Sequence, residues 1–203
     1  HNWCRLNIFQ INVQNQIGIS DDYGAYRNIF NRHQLCWAHP HRKLRDLAES
    51  GVLKEKKKKH CQKVYADFAS LYKDVRKLKD KFDSGENIKE QEKIQLRERF
   101  QKMVIVQDDD PDKLKKIRES LGSRINRYFT FWEERGIPLD NNQAERGLRK
   151  LVLKRKKSFG SKTQKGANVL SILYSVIFTL YSSGGSQDFF ENYEKALNIH
   201  DKI

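Results

Sequence analysis

Apolar residues recur every three or four positions along most of the chain, which is the spacing of amphipathic helices. Between about residues 53 and 134 they are sparse and stand among Lys, Glu, Arg and Gln. Breaks at positions 84–85 and 107–111, marked by Gly and Pro, divide this segment. The pattern predicts about three helices. A coiled coil is the alternative, but the spacing does not hold a strict heptad.

Near the start of the chain the pattern is typical of strands. β-favouring residues fill positions 6–20 and predict one or two strands, the second running from about residue 16 to Asp21. A short helix is predicted over residues 22–31, a second strand over 33–38, and then a helix to about residue 50. The predicted fold class is therefore α/β, although most residues fall in helices.

The last third of the chain begins with a loop that leads into a helix. Asp140 is a favourable N-cap and Gln143 completes a pattern like a capping box, so a helix is predicted through Glu145 to about residue 152. A later apolar stretch is interrupted by Asn, Ser and Thr and is too short to span a bilayer comfortably, so we expect a buried helix. The remaining predictions are a basic loop or ribbon over 154–165, that apolar helix over 167–182 and a final helix over 187–198.

Charge and cysteine content narrow the choice of partner and compartment. The net charge of +14 and the pI near 9.7 indicate a polyanionic partner, of which nucleic acid is the commonest. A well-solvated basic protein, or one that meets acidic partners or a membrane surface, is the alternative. Three cysteines argue against a disulfide scaffold and favour a reducing, cytosolic setting. The first ten residues lack the features of a signal peptide.

Two acidic positions are candidate metal ligands. Asp21 ends a predicted strand, from which a carboxylate can project toward a cation, but Asp is also favoured as the N-cap of a following helix. Glu145 lies in a polar segment before a helix and could ligate a metal while Arg146, Arg149 and Lys150 face phosphates. The spacing of Glu145 and Arg149 also fits a weak surface ion pair.

A Cys-x-x-His motif and several basic runs are the other candidates. Cys36 and His39 have the spacing of two zinc ligands, but a structural zinc site needs four, and no second pair stands at finger-like spacing. We therefore do not expect zinc. The basic run over residues 54–60 is typical of a solvated face. With other basic residues it could line a DNA path that positions the duplex without reading its sequence.

Four blocks of sequence together resemble a known family. In order, DDYGAY, CWAHPHRKL, GIPLDNNQAERGLRKLVLKRKKSFGS and KGANVLSILYSVIFTL are similar to the pattern of the insertion sequence 66 family of transposases. The resemblance runs from about residue 18 to about residue 197. It implies an RNase H-like fold with a helical insertion before the last catalytic acid. It also implies a DDE triad of acids that holds two Mg²⁺ or Mn²⁺ ions.

The resemblance assigns roles to particular residues. Asp21 matches the family's second acid, and Glu145 matches the third; both are expected to bind metal and to be catalytic. Asp22 stands where the family usually has Gly, which leaves open whether Asp21 or Asp22 is the ligand. Cys36, His39 and Asn142 are expected to support the structure near the active site. The residues expected to contact DNA are Arg42, Lys43, Arg146, Arg149, Lys150, Lys154, Arg155 and Lys157.

The resemblance also implies an organisation and partners. Residues 1–50 and 136–203 are expected to form a partial RNase H-like core, with residues 51–135 as the all-α insertion. The implied partner is DNA, both the element's terminal repeats and the target, with a homo-oligomer assembling on it and no membrane. The implied location is the bacterial cytoplasm, in association with the nucleoid.

This chain differs from the family's pattern at the first catalytic acid. That acid lies on the first strand, well before Asp21, yet residues 1–20 contain no Asp or Glu. Because the chain also starts with His, we expect it to be a segment of a longer transposase or a remnant of a decayed element, inactive by itself. The alternative function is a non-catalytic, basic DNA-binding remnant. A nuclease or resolvase of the same fold is a third hypothesis, since one fold hosts many activities.

Overall fold

The computed structural model describes residues 16–24, 30–157 and 161–184. The chain divides into two compact units, His1–Asn142 and Gln143–Ile203. In chain order the elements are β1 Ile17–Ser20, β2 Arg32–Leu35, α1 Ala38–Ala48, α2 Glu55–Asp83, α3 Glu90–Met103, α4 Asp112–Gly122, α5 Ile125–Tyr128, a 3₁₀ helix Thr130–Trp132, α6 Asn142–Lys157 and α7 Gln164–Gly184. The fold is mostly helical with a small sheet, as an α/β prediction requires.

The sheet consists of β1 and β2, which pair in parallel with Ile17 opposite Arg32 and Ser20 opposite Leu35. Gly18 is required in β1, because a Cβ built on it would lie 2.1 Å from the ring of Phe30. Both strands were predicted, but β2 ends at Leu35 and not at residue 38. β2 is shorter than predicted because α1 begins at Ala38, so the chain has to leave the strand before that residue. The strand predicted before residue 16 and half of the helix predicted over 22–31, residues 25–29, lie outside the described residues.

The helical prediction for the middle of the chain is confirmed. α2, α3 and α4 are separated at the predicted breaks, and Gly85, just after α2, has φ +92°, a conformation that glycine adopts without strain. The residues of α2 that face the core follow the predicted spacing of three and four. They are Cys61, Val64, Phe68, Leu71, Tyr72, Val75 and Leu78.

The core of the first unit is aromatic and centres on Trp37, which is fully buried. The centroid of its ring lies 5.4 to 5.8 Å from the centroids of five other aromatic rings, those of Phe68, Tyr72, Phe100, Tyr128 and Phe129. Its indole N–H donates to the carbonyl of Tyr128 at 2.8 Å. The segment after β2 and the helical middle of the chain therefore share one core.

Buried Gln34 joins the sheet to the end of that helical segment by hydrogen bonds. Its side-chain oxygen accepts the N–H of Phe131 at 2.8 Å, and its amide nitrogen donates to the carbonyls of Leu35 and Tyr128. A fully buried amide with its donors and acceptor engaged fixes β2 against α5 and the 3₁₀ helix.

Two predictions for the second unit are wrong in part. Residues 154–165 are not all loop, because α6 runs to Lys157 and α7 begins at Gln164. Lys, Arg, Leu and Val contain no helix breaker, so nothing in the sequence stops α6 at residue 152.

α7 is also less buried than predicted. Five of its apolar side chains are 46 to 53% exposed: Val169, Ile172, Leu173, Val176 and Ile177. Apolar residues occupy nearly every face of this helix, so packing on one side cannot cover them all. Within the described residues, no helix combines the length and the apolar character needed to cross a membrane. The helix predicted over 187–198 lies outside the described residues.

Candidate active site

Asp21 follows β1 directly and is half-buried. Its Oδ1 accepts the backbone N–H of Tyr23 at 3.2 Å, and its carbonyl accepts the Ser20 hydroxyl at 2.6 Å. The parallel strand sets the direction of the backbone at this point, and the Tyr23 N–H orients the carboxylate. The neighbouring His33 of β2 places Nε2 2.8 Å from the Ser20 Oγ.

Asp22 is engaged differently from Asp21. Its Oδ2 accepts hydrogen bonds from the guanidinium of Arg124 and from Ser120 Oγ, the latter at 3.2 Å. Arg124 and Asp22 are each only about one-fifth exposed, at 21% and 20% of the side chain. The charge of Asp22 is therefore offset by a partner in the helical middle segment.

A cavity of about 490 Å³, which we call the Asp21 cavity, opens beside these acids. Its lining brings together residues that lie far apart in sequence, including Asp21, Cys36, His39, Lys43 and Lys116. Four of these five were predicted as site residues from the sequence. Lys116 of α4 was not, because nothing in its local sequence separates it from the other lysines of a basic helix.

Cys36 is a neutral, buried member of this lining. Burial raises the pKa of its thiol, although the backbone N–H groups of Asn141, His39 and Ala38 act in the opposite direction. Its contact with the Asn141 backbone ties the Cys-x-x-His motif to the start of the NNQAER block.

Arg42 and Lys43 are adjacent on α1 but line different cavities. Lys43 lines the Asp21 cavity. Arg42 places Nη2 3.3 and 3.4 Å from the two ring nitrogens of His39, and it lines a second cavity of about 490 Å³ between α1 and α2. That second cavity also contains Asn142 and three further basic residues, Lys73, Arg76 and Lys77.

The loop before α6 belongs to the first unit, and three contacts join it to earlier parts of that unit. Gly136 N–H donates to Asp83 Oδ1 at 3.0 Å, and Trp37 N–H donates to the Leu139 carbonyl at 2.9 Å. The Asp140 carboxylate accepts the N–H of Asn142 at 3.1 Å and lies 3.8 Å from the guanidinium of Arg76. Asp140 thus caps the first turn of α6, as predicted.

Glu145 lies in the first turn of α6, in the second unit, and is half-buried. A carboxylate there is favoured by the positive end of the helix dipole. Arg146 and Arg149 of the same helix are exposed. Lys150, Lys154, Arg155 and Lys157 are also in α6.

One ligand-like cluster was missed by sequence reasoning. Among the described residues, only His60, Asp109 and Asp110 form a group of three metal-ligand types within reach of one ion. His60 Nε2 lies 2.7 Å from Asp110 Oδ1, whereas its other ring nitrogen, Nδ1, lies 3.8 Å from Asp109 Oδ2. Arg118 and the Gln107 N–H also bind Asp110 Oδ2.

These contacts also join the cluster to the neighbouring Arg118 and Gln107 in one hydrogen-bonded network. Arg118 already compensates the fully buried Asp110 side chain. The 50-residue separation of His60 from Asp110 explains why no spacing in the sequence could have found the network.

The Asp21 cavity is lined by a carboxylate and two lysines, groups that can hold a divalent cation and a phosphate. A family model described as Transposase IS66 family matches residues 11–169. The chain belongs to this family, so its function is related to transposition and DNA is the substrate that membership implies. No curated protein and no solved structure matches the chain.

Proposed function

We propose that this chain is part of the catalytic domain of a DDE transposase that cleaves and joins DNA at insertion-sequence ends with Mg²⁺ or Mn²⁺. The observation that carries the proposal is Asp21, placed at the end of a parallel strand and beside a cavity lined with lysine, in a chain of this family. Asp21 and Glu145 are proposed as metal ligands and catalytic residues.

The described residues fit a hard divalent cation at Asp21. Carboxylate oxygens are the ligands such ions prefer. Among the described residues, the Asp21 carboxylate accepts one hydrogen bond, from Tyr23 N–H, and it opens onto the cavity. The charge of Asp22 is already offset by Arg124, and Ser120 donates to the same carboxylate oxygen. We therefore propose Asp21, not Asp22, as the ligand.

We propose separate roles in the reaction for the metal ligands, the basic residues and the residues around the cavity. Divalent ions held by Asp21 and Glu145 would supply activation of a water or a 3′-hydroxyl and stabilisation of the leaving oxygen. Lys43, Arg42 and the basic residues of α6 are proposed to hold phosphates, so that the reacting groups stand in line. Cys36 and His39 are proposed to support the cavity wall, and Asn142 the start of α6. None of these contacts would read base sequence.

The proposed organisation follows the family. Residues 1–50 and 136–203 would form a partial RNase H-like core, and residues 51–135 the helical insertion. The parallel pair β1–β2, followed by a long run of helices before Glu145, supports this arrangement. Assembly as an oligomer on DNA, in the bacterial cytoplasm, is part of the same proposal.

The test is metal-dependent nicking of a DNA substrate that carries the element's end. The chain is expressed with its in-frame upstream sequence, and Glu145→Gln and Asp21→Asn are each compared with it. Both variants are expected to abolish nicking. Glu98→Gln, which removes an exposed carboxylate of α3, is the matched control and should nick normally. Unchanged nicking in Glu145→Gln would overturn the assignment.

A second candidate function is a non-catalytic DNA-binding protein. The absence of any acid from residues 1–20, together with the net charge of +14, favours it. The same assay separates the two: salt-sensitive DNA binding with no metal-dependent nicking by the unaltered protein would support this candidate and contradict the first.

A further inference from the structure

α4 contacts the loop that carries Asp21, although about a hundred residues separate them in sequence. Arg124, just after the helix, and Ser120, in its last turn, both donate to Asp22 Oδ2. Arg124 also lies 3.2 Å from Ser120 Oγ, so the three side chains form one network. Because the Arg124 and Asp22 side chains are about four-fifths buried, this network holds α4 more firmly than an exposed ion pair would.

Lys116 is the basic residue that α4 brings to the Asp21 cavity. It precedes Ser120 by four residues, one helical turn, and Ile117 and Leu121 of the same helix form part of the lining. Lys43 of α1 lines the same cavity. Both lysines are exposed, and the structure records no ion pair for either within residues 16–24, 30–157 and 161–184.

The charges around the cavity do not balance. Arg124 offsets Asp22, which leaves the single carboxylate of Asp21 facing the two ammonium groups of Lys43 and Lys116. This residual positive charge favours an anion beside Asp21, and the volume of about 490 Å³ admits a phosphodiester with its sugars. Lysine binds phosphate as a mobile point charge, without a fixed geometry.

We propose that Lys116 is a DNA-contacting residue of the Asp21 cavity, and that the Asp22–Arg124–Ser120 network is what positions it there. The helical middle segment then forms part of the substrate site, since one of the groups that bind the DNA backbone comes from α4. This inference rests on the proposed function, because it requires DNA to enter the cavity.

The experiment measures binding of a fluorescent duplex to the full chain by anisotropy, over a series of salt concentrations, with Ca²⁺ in place of Mg²⁺. Lys116→Gln is expected to weaken binding about five- to tenfold and to reduce the slope of log affinity against log salt by about one. Lys116→Arg keeps the charge and should restore most of the affinity.

Lys113→Gln is the matched control. It removes the same charge from an exposed position in the first turn of α4, outside the Asp21 cavity. It should change affinity less than twofold. Equal losses in Lys116→Gln and Lys113→Gln would overturn the inference, because the effect would then be one of general charge.

A variant of Arg124 tests whether the network with Asp22 and Ser120 positions Lys116 for DNA binding. Arg124→Gln is expected to weaken DNA binding, and Lys116→Gln should add little in its presence, since the two act through one contact. Full additivity of the two losses would contradict the proposed positioning. If the unaltered chain binds no DNA, the proposed function fails as well. If it binds DNA but Lys116→Gln has no effect, only the present inference fails.

Discussion

The aromatic core and the Asp21 cavity use neighbouring residues of one short segment but depend on different interactions. Trp37 points into the core, where it contacts five aromatic rings, whereas Cys36 and His39 line the cavity. The core is stabilised by many apolar contacts, and no single one decides its shape. The cavity depends on a few charged contacts, each of which a single substitution can remove. Stability and function can therefore be separated within the Cys-x-x-His motif.

The largest expected effect is on the core. Trp37→Ala removes a fully buried side chain and its hydrogen bond to Tyr128, so we expect a loss of about 3–5 kcal/mol in the free energy of unfolding. Urea unfolding followed by circular dichroism measures it. Val52→Ala is the control, because that side chain is 93% exposed, and its effect should stay within about 0.5 kcal/mol. Similar stabilities for the two variants would refute the central place of Trp37.

A smaller effect is expected in β1, the strand that leads to Asp21. Gly18→Ala places a methyl group against the Phe30 ring, and this overpacking should cost about 1–3 kcal/mol. Gly51→Ala meets no atom within 4 Å and is the matched control. Adding Phe30→Leu to Gly18→Ala should recover part of the loss. No recovery would mean that the close approach is not the cause.

The network at the cavity should contribute less to stability. A double-mutant cycle with Asp22→Asn and Arg124→Gln is expected to give a coupling of about 1 kcal/mol, more than for an exposed pair because both side chains are about one-fifth exposed. The same unfolding measurements provide it. A coupling near zero would show that the pair does not hold α4 to the Asp21 loop.

The smallest effect is a pH dependence from His33. Burial lowers its pKa from the usual 6.5, as does the charge of Arg127, while Asp21 acts in the opposite direction. The unfolded state therefore binds the proton more readily than the folded state. Stability that is present above about pH 6.5 should be lost as the pH falls below it.

His33→Asn should make that decline shallower between pH 7.5 and 5.5, measured as the urea midpoint at each pH. A slope equal to that of the unaltered chain would contradict the role of His33. His41, whose pKa is also lowered by burial and by Arg45 and Arg76, accounts for part of the decline that remains.

Local features of the fold were readable from the sequence, and long-range ones were not. The strand ending near Asp21 and the breaks between α2, α3 and α4 follow from turn residues and apolar spacing, which act over a few residues. The resemblance placed Cys36 and His39 near the active site and predicted that Lys43 contacts DNA; all three line the Asp21 cavity.

The Asp22–Arg124 pair joins residues 102 positions apart, and Lys116 enters the cavity only because α4 docks there. No local pattern encodes either contact. The exposure of the apolar side chains of α7 was missed for a related reason, since composition indicates that a helix is apolar but not how much of it is covered.

The central proposal, that Asp21 and Glu145 are ligands of divalent metal, is tested most directly by Mn²⁺ binding to the full chain, measured by electron paramagnetic resonance. We predict that Asp21→Asn and Glu145→Gln each weaken Mn²⁺ binding strongly, because each removes a carboxylate ligand that such an ion prefers. Asp22→Asn and Glu98→Gln should bind nearly as the unaltered chain does. Unchanged affinity in Asp21→Asn or in Glu145→Gln would contradict the proposal.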